Sequence, residues 1–537
     1  MPCAAGRPRM TRHPSGEGHA LNKTPDTDAD PSLQDLIDRH SALAMDGEAF
    51  RALGHRLVDR IADFLETLPE RPAAPDLSPA AARELVGHDT LPAAGGDPAA
   101  LLDQAADLVI NGSRLNGHPR SWGYVIGTPA PIGMLGDLLA AATNPNLAAW
   151  RSSPVATEME AQVVRWIAEL LGYPTDCGGL LTSGGNMANF IGFLAARRAK
   201  ANWDVRGDGM AGGPGPRLCA YASEETHTWI QKAADLFGLG TGAIRWIPTD
   251  AGLRMDLAAL RDAIAQDRAR GDRPFLVVGA AGTVSTGAVD PLPAIAAIAR
   301  EHDLWFHVDG AYGAFAGALD ETPADLKGLR EADSLAVDAH KWLYAPLEAG
   351  CALVRDRRAL LETFSYRPSY YYHGGADEEE GINYYEYGPQ NSRCFRALKV
   401  WLVLRHIGRK DYLRLVGEDV RLAQQLYRAV EAAPELEAVT QGLSITTFRY
   451  VPPDLDPAAD GAADYLNRLN KTLVSEIQTG GEAFLSNAMV DGRYLLRACI
   501  TNFRTRLSDV EALPGIATRL GRAIHARMRD GSDLPAP

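Results

Sequence analysis

The chain has 537 residues, 46% of them hydrophobic, and a formal net charge of -14. This length predicts roughly two to four domains, and the acidic balance excludes a general binder of nucleic acid or anionic membranes, because both need a basic surface. Six scattered cysteines form no CxxC pair, which disfavours a zinc ribbon or a disulfide framework and favours reduced thiols in a cytoplasm.

The N-terminal part of the chain changes character at Ser32. Residues 1–31 are rich in Pro, Gly, Asp and Thr and lack an apolar signal core, so we predict a disordered tail there. From Ser32 onward apolar residues recur at helical spacing, which predicts a helical segment over residues 32–116. We expect these amphipathic helices to pack on a partner subunit. The sequence contains no apolar run long enough to cross a bilayer.

Strand-like and helix-like runs alternate between residues 117 and 400. Strand-like runs such as PFLVVGAAG and LWFHVDG are separated by helix-like runs such as LPAIAAIAREH. This alternation predicts a large α/β domain with a mostly parallel sheet, in which ligands bind beyond the carboxyl ends of the strands. Residues 401–537 combine long helical stretches with strand-like pieces, which predicts a smaller C-terminal α+β domain.

The stretch LTSGGNMANF is the first candidate binding site. An apolar strand runs into Gly184, Gly185 and Asn186, and a helix follows. Small residues let a ligand approach the backbone closely, and a helix N-terminus offers unpaired N–H groups to an anion. The ordinary alternative is a strand-to-helix turn in which Asn186 is the N-cap.

The stretch LWFHVDGAYGAF is the second candidate. A strand delivers Asp309, and the small residue Ala311 follows closely. An aspartate at the end of a buried strand usually caps a turn, but it also suits a buried cation such as a protonated ring nitrogen, with Ala311 leaving room for a flat ring. His302 and His307 raise the possibility of a metal site, which the lack of further ligands disfavours.

The stretch DSLAVDAHKW is the third candidate, because a buried strand ends there in His340 and Lys341. Most lysines are surface residues. A partly desolvated lysine, however, has a lowered pKa and acts as a nucleophile that forms a Schiff base with an aldehyde. An anion cradle, a carboxylate for a ring nitrogen and an amine for an aldehyde together fit pyridoxal phosphate.

From about Met45 to Arg504 the sequence resembles the pyridoxal-phosphate group II amino-acid decarboxylases, which include the aromatic-L-amino-acid, tyrosine, histidine and glutamate enzymes. The matching segments include HPRSWGYVIGTPAP, LLTSGGNMAN, YASEETHTW, FHVDGAYGAF and DAHKWLYAPLEAG. The resemblance implies the fold type I (aspartate-aminotransferase-like) architecture of PLP-dependent transferases. It also implies a homodimer that binds an amino acid. From the charge and the apolar pattern we expect no nucleic acid and no membrane as partners.

The resemblance implies a role for each matching residue. Lys341 would hold the cofactor covalently, and Asp309 would pair with its ring nitrogen. Ala311 and His227 would pack on the two faces of the ring. The remaining assignments place Gly185, Asn186 and His340 at the phosphate and Thr128 near the substrate carboxylate.

Relatives carry a mobile catalytic loop where this chain has residues 370–393, and such a loop closes over the substrate. Counting back from FRALKVW without a gap places the catalytic tyrosine at Tyr384, whereas a gap would move it to Tyr385. The chain departs from its relatives at Asn186, where they commonly have Ser or Thr, and at Met187, where they have Glu. Asn can still donate and accept hydrogen bonds at a phosphate.

The predicted reaction is the decarboxylation of an L-amino acid to its amine and carbon dioxide, with Tyr384 or His227 protonating the α-carbon. Trp122, Tyr124 and Trp150 hint at an aromatic substrate, although each fits a core position equally well. The alternatives are a decarboxylase of an aliphatic or acidic amino acid, an aldehyde synthase of the same fold, an aminotransferase and a non-catalytic PLP-binding protein.

Overall fold

A computed structural model describes residues 43–210, 216–367 and 381–531, together with Leu36, Arg39 and Ser41. The chain divides into two compact units, Met1–Ala62 and Asp63–Pro537. The predicted disordered tail lies outside the described residues. In the part of the chain that is described, no helix combines the length and apolarity needed to span a membrane.

The N-terminal part is helical, as the apolar spacing predicts. Its helices are α1 (Gly47–Thr67), α2 (Pro79–Val86), α3 (Pro98–Gly112), α4 (Pro131–Thr143) and α5 (Pro154–Leu170). Helices α2 to α5 each begin with a proline, whose fixed φ suits the first helical position. Ser78 and Asp97 cap α2 and α3 by accepting hydrogen bonds from backbone N–H groups. Helices α1, α2 and α3 have no buried side chain.

Within the described residues the main sheet has seven strands, in the order β1-β7-β6-β5-β4-β2-β3. The strands are β1 (Gly178–Thr182), β2 (Leu218–Ser223), β3 (Ile244–Ile247), β4 (Arg273–Ala280), β5 (Trp305–Asp309), β6 (Ser334–Asp338) and β7 (Gly350–Val354). Strand β7 is antiparallel to both of its neighbours, and the other pairs are parallel. The prediction of a mostly parallel sheet is therefore confirmed.

Helices cover both faces of this sheet. They are α6 (Gly185–Lys200), α7 (Val205–Asp208), α8 (Trp229–Leu236), α9 (Leu257–Ala269), α10 (Leu292–Glu301) and α11 (Arg357–Phe364). Successive strand residues belong to different hydrophobic clusters: Val277 packs in one, and Leu276 and Val278 pack in the other. Because side chains alternate across a strand, this division shows that both faces are buried.

The C-terminal part is a smaller α+β domain, as predicted. Its elements are α12 (Arg396–Glu431), β8 (Leu436–Gly442), β9 (Ile445–Tyr450), α13 (Ala462–Thr479), β10 (Ser486–Val490), β11 (Arg493–Cys499) and α14 (Leu507–Arg529). The strands form an antiparallel sheet in the order β10-β11-β9-β8. Gly408 breaks α12 with φ of 70° and ψ of 164°, a backbone conformation that favours glycine.

Candidate active site

A cavity of about 340 Å³ lies where the carboxyl ends of β1, β4, β5 and β6 meet. This is the place where an open α/β sheet binds its ligands. All of the predicted site residues except Tyr384 and Thr128 line the cavity, namely Gly185, Asn186, His227, Asp309, Ala311, His340 and Lys341. The structure thus brings together residues that are far apart in the sequence.

The anion cradle forms where β1 turns into α6. Gly184 is the N-cap, with φ of 152°, and no side chain caps the helix, so its first N–H groups remain available to an anion. The alternative in which Asn186 caps the helix is wrong, because Asn186 lies inside its first turn. A Cβ atom on Gly185 would lie 2.8 Å from Asp338 Oδ2 and 3.1 Å from Ala311 Cβ, so only glycine fits there.

Lys341 lies in the turn between β6 and β7, with its Nζ 3.0 Å from Asp338 Oδ2. Burial acts to lower the pKa of Lys341, but the carboxylates of Asp338 and Asp309 together raise that pKa above its ordinary value. The expected lowering of the pKa is therefore wrong for this structure. The reason is the neighbouring aspartates, whose charges outweigh the loss of hydration.

The backbone of the Lys341 turn is held by residues 127–130. Gly127 N–H donates to the carbonyl oxygen of His340 at 3.1 Å, and Ala130 N–H donates to that of Tyr344 at 2.8 Å. A Cβ atom on Gly127 would lie 1.8 Å from the Lys341 carbonyl oxygen, so this contact requires glycine. Residues 127–130 thus hold the backbone of Lys341 in place at the cavity.

A buried carboxylate, Asp419 of α12, holds the side chains that follow Lys341. Trp342 Nε1–H donates to Asp419 Oδ2 at 2.9 Å, and the Tyr344 hydroxyl donates to the same oxygen at 2.7 Å. Burial raises the pKa of Asp419 to about 7. Sequence reasoning missed this residue, because an aspartate within a long helical pattern carries no local signal for a contact with a distant turn.

Asp309 is the last residue of β5. Its side chain caps the turn that follows and lines the cavity. Its Oδ1 accepts a hydrogen bond from Ala311 N–H at 3.1 Å. The neighbouring His307 is fully buried, with Nδ1 2.7 Å from Ser334 Oγ and Nε2 2.7 Å from Asn189 Oδ1. Burial lowers the pKa of His307 to about 3. Since both ring nitrogens have partners, His307 is a structural residue of the core.

His227 and His340 both line the cavity, and their rings make the same kind of backbone hydrogen bond. His227 Nδ1 accepts from Trp229 N–H at 3.3 Å, and His340 Nδ1 accepts from Ala349 N–H at 3.1 Å. Each ring therefore carries its proton on Nε2. Burial lowers the pKa of both histidines, so both are neutral near pH 7.

Two predicted site residues lie outside the cavity. Thr128 is fully buried, and its hydroxyl donates to the Asn116 carbonyl oxygen at 3.4 Å. Tyr384 is 1% exposed and packs in a hydrophobic cluster of the sheet, with the Arg393 guanidinium 4.5 Å from its ring centre. Tyr384 does not line the cavity in this chain, and its catalytic role stays a prediction.

The aromatic residues that hinted at a substrate pocket also lie elsewhere. Trp122 is fully buried in the core of the small domain and donates to Thr505 Oγ1 at 3.0 Å. Trp150 donates to Glu158 at 2.8 Å, and Tyr124 is 50% exposed. None of the three lines the cavity.

The family model described as "Pyridoxal-dependent decarboxylase conserved domain" matches residues 82–451. The chain belongs to the pyridoxal-dependent decarboxylase family. It is 34% identical to an aromatic-L-amino-acid decarboxylase of Bacillus atrophaeus over 87% of this chain and 94% of that protein. It is 32% identical to a histidine decarboxylase of Drosophila melanogaster, over 87% of this chain and 54% of the relative.

Solved structures share the fold over about nine tenths of this chain. Oryza sativa TDC, crystallised with PLP and tryptamine, superposes with a TM-score of 0.83 at 27% identity, over 90% of this chain and 99% of that one. Rhodiola rosea 4-hydroxyphenylacetaldehyde synthase gives a TM-score of 0.79 at 28% identity, over 89% of this chain and 99% of that one. The protein is a carboxy-lyase of fold type I that uses pyridoxal phosphate.

The residues of the cavity fit this cofactor. The glycines at the start of α6 leave room for a phosphate, and Ala311 leaves room for a flat ring beside them. Asp338 Oδ1 is buried and has no hydrogen-bond partner among the described residues, so the cavity offers a ligand one unused hydrogen-bond acceptor. A lysine amine and the Asp309 carboxylate complete the set that a pyridoxal phosphate site needs.

Proposed function

We propose that this enzyme decarboxylates an aromatic L-amino acid to the corresponding amine and carbon dioxide. The observation that carries the proposal is the convergence of Lys341, Asp309 and His227 on one cavity beside an uncapped helix N-terminus. The aromatic substrate is supported by the similarity to aromatic-L-amino-acid, tryptophan and tyrosine decarboxylases over more than four fifths of the chain.

Bound pyridoxal phosphate supplies an electron sink for the charge that remains on the α-carbon when carbon dioxide leaves. Lys341 would supply the amine that joins the cofactor to the chain, and the Asp309 carboxylate would pair with its ring nitrogen. Gly185 and Asn186 offer N–H groups of α6 to the phosphate. Ala311 and His227, which both line the cavity, would pack on the ring.

We propose Lys341, in place of Tyr384 or His227, as the proton donor to the α-carbon. Tyr384 lies in the core, and His227 is neutral near pH 7, so its Nε2–H is suited to hydrogen bonding and ill suited to proton transfer. The carboxylates of Asp338 and Asp309 raise the pKa of Lys341, which favours the protonated form of its amine. His227 then orients the substrate through Nε2–H.

We also propose that the enzyme is a homodimer. Helices α1, α2 and α3 bury no side chain, yet they expose large apolar residues, among them Phe50, Leu85, Leu101 and Val109. Apolar surface of this kind marks an interface, and a second copy of the chain is its simplest occupant. The free cysteines of the described residues suit a reducing compartment, and we propose a cytoplasmic location.

A screen of the amino acids for carbon dioxide release tests the proposed reaction. We expect release from an aromatic amino acid, and we expect Lys341→Ala to lose both turnover and the absorption band of the bound cofactor. Normal turnover by Lys341→Ala would refute the assignment. Release from acidic or aliphatic amino acids alone would refute the substrate class.

The aldehyde synthase is the second candidate, because one structural relative is a 4-hydroxyphenylacetaldehyde synthase. Such an enzyme consumes oxygen and releases ammonia and peroxide beside carbon dioxide. Measuring peroxide and ammonia in the same reactions separates the two. We expect carbon dioxide and amine in equal amounts without peroxide.

A further inference from the structure

A second cavity, of about 820 Å³, lies between the segment that follows α1 and the start of α14. Its walls come mainly from four separate parts of the chain, residues 69–72, 118–120, 480–482 and 503–509. Among the residues that the structure describes, this cavity and the catalytic cavity share no lining residue. The proposed reaction therefore gives the second cavity no role.

Hydrogen bonds join the walls of this second cavity. Ala73 N–H, directly after the first wall, donates to the Gly481 carbonyl oxygen at 2.9 Å. Asn502 Nδ2–H donates to the His118 carbonyl oxygen at 2.8 Å, and both of these residues are buried. The cavity is thus built into the folded chain, and its shape exists before a ligand binds.

Four guanidinium groups line the second cavity, which we call the arginine cavity; they belong to Arg71, Arg120, Arg504 and Arg506. That of Arg120 is neutralised by Asp509, with 3.0 Å between Nε and Oδ1. In the described part of the chain no carboxylate forms an ion pair with the other three. This concentration of positive charge stands out in a chain whose net charge is -14.

Arg504 has an unused hydrogen-bond donor in the arginine cavity. Its Nη1 is buried and has no hydrogen-bond partner among the residues described. Burial lowers the pKa of Arg504, and no carboxylate raises it again. Its guanidinium carbon lies 4.7 Å from the centre of the Phe503 ring. A buried charged donor without an acceptor is costly, because the group loses water and gains no partner.

The other titratable groups of the arginine cavity do not cancel its positive charge. Glu482 pairs with Arg519 of α14, which does not line the cavity. Glu70 is the one lining carboxylate that forms no ion pair within the described ranges. Burial lowers the pKa of His118, so this ring is neutral near pH 7. Three unpaired guanidinium groups therefore face a single unpaired carboxylate.

We propose that the arginine cavity is a second ligand site, which binds an organic anion that carries a phosphate or several carboxylates. A guanidinium presents a fork of N–H donors that matches the oxygens of either group. Leu65, Pro69 and Pro119 add apolar wall to the cavity. Its volume lies within the range of about 300–1,000 Å³ that small-molecule sites occupy, so an organic body fits beside the anionic group.

Glycerol 3-phosphate and citrate are the probes, and uncharged glycerol is the control ligand. Each is titrated by calorimetry into enzyme loaded with pyridoxal phosphate, so that the anion cradle at the start of α6 is already filled. We expect at least one of the two anions to bind at one site per chain, and glycerol not to bind. Binding of glycerol 3-phosphate alone supports a phosphate ester as the ligand, and binding of citrate alone supports a polycarboxylate. Failure of both anions to bind at millimolar concentration would overturn the proposal.

Substitutions in the cavity locate the bound anion. Arg504→Gln and Arg506→Gln should each weaken binding about tenfold, because each removes a charged hydrogen-bond donor. Arg506 is exposed, so its variant keeps the test valid even if Arg504→Gln fails to fold. Glu70→Gln should bind the anion more tightly, because it removes the unpaired carboxylate.

The matched control is Arg414→Gln, which removes an exposed guanidinium of α12 that does not line the arginine cavity. It changes the net charge by the same amount and should bind the anion as the wild type does. Equal weakening in Arg414→Gln and Arg506→Gln would mean that the overall charge attracts the anion, and the proposal would be wrong. None of these measurements uses turnover, so they are independent of the proposed reaction.

Discussion

The ion pair between Glu160 of α5 and Arg393 is the most informative place to perturb the fold near the site. Both side chains are almost completely buried, at 0% and 1% exposure. Glu160 Oε1 also accepts from Leu181 N–H at 2.8 Å, and Arg393 donates to the carbonyl oxygens of Leu181 and Leu147 at 2.8 and 3.1 Å. The pair thus fixes β1, which leads directly into the anion cradle.

Removing one partner of a buried pair costs about 3–5 kcal/mol, because it leaves a buried charge without compensation. In Glu160→Gln the guanidinium of Arg393 keeps its two carbonyl acceptors, so we expect a loss of about 3 kcal/mol. The matched control is Glu418→Gln, which breaks an exposed pair with Arg414. Such a pair contributes about 0.3–0.5 kcal/mol.

Guanidinium unfolding of the cofactor-free enzyme, followed by tryptophan fluorescence, measures both variants under the same conditions. A chain of this size need not unfold in two states, so the midpoint of the first transition is compared. We expect a clear shift for Glu160→Gln and almost none for Glu418→Gln. Equal shifts would refute the reasoning. The double variant Glu160→Leu with Arg393→Met should recover part of the loss, because an apolar pair leaves no buried charge.

Three further predictions concern the site. The pKa of Asp419 is about 7 in the folded chain and has its ordinary value in the unfolded chain. Between these two pKa values the folded chain binds one more proton than the unfolded chain, so its stability falls as the pH rises. Asp419→Asn should therefore gain about 2 kcal/mol relative to wild type between pH 5 and pH 7 in unfolding titrations. The exposed Asp411→Asn should gain nothing. Gly185→Ala should weaken cofactor binding at least tenfold in absorbance titrations, because its Cβ would lie 2.8 Å from a carboxylate oxygen, whereas Gly515→Ala, which meets no atom within 4 Å, should bind normally. Tyr384→Phe should change kcat less than threefold, and a loss of a hundredfold would restore Tyr384 as a catalytic residue.

The strand-end residues could be predicted from sequence because the topology of a parallel sheet places them together. Gly185, Asp309 and Lys341 each follow a buried strand-like run, and the carboxyl ends of such strands meet at one edge. The chemistry of these three residues then indicates a ligand that carries an anion, a cationic ring nitrogen and an aldehyde. The fold and the core of the site follow from local patterns combined with this one topological rule.

Other parts of the site depend on contacts that leave no local pattern. Asp419 reaches Trp342 and Tyr344 from a distant helix, and Gly127 contacts the lysine turn through its backbone. Counting along a variable loop gives no information about depth in the structure, so the sequence does not show that Tyr384 is buried. The pKa of Lys341 depends on two aspartates, and their distances are fixed only once the fold is complete.

The position of β7 has a consequence for synthesis of the chain. Among the strands that the structure describes, β1 pairs only with β7, which is made long after it. Until Gly350–Val354 leaves the ribosome, β1 has no partner, and at about 5–20 residues per second this delay is on the order of ten seconds. The nascent enzyme therefore spends that time with an unpaired hydrophobic strand, and the anion cradle can form only when nearly two thirds of the protein has been made.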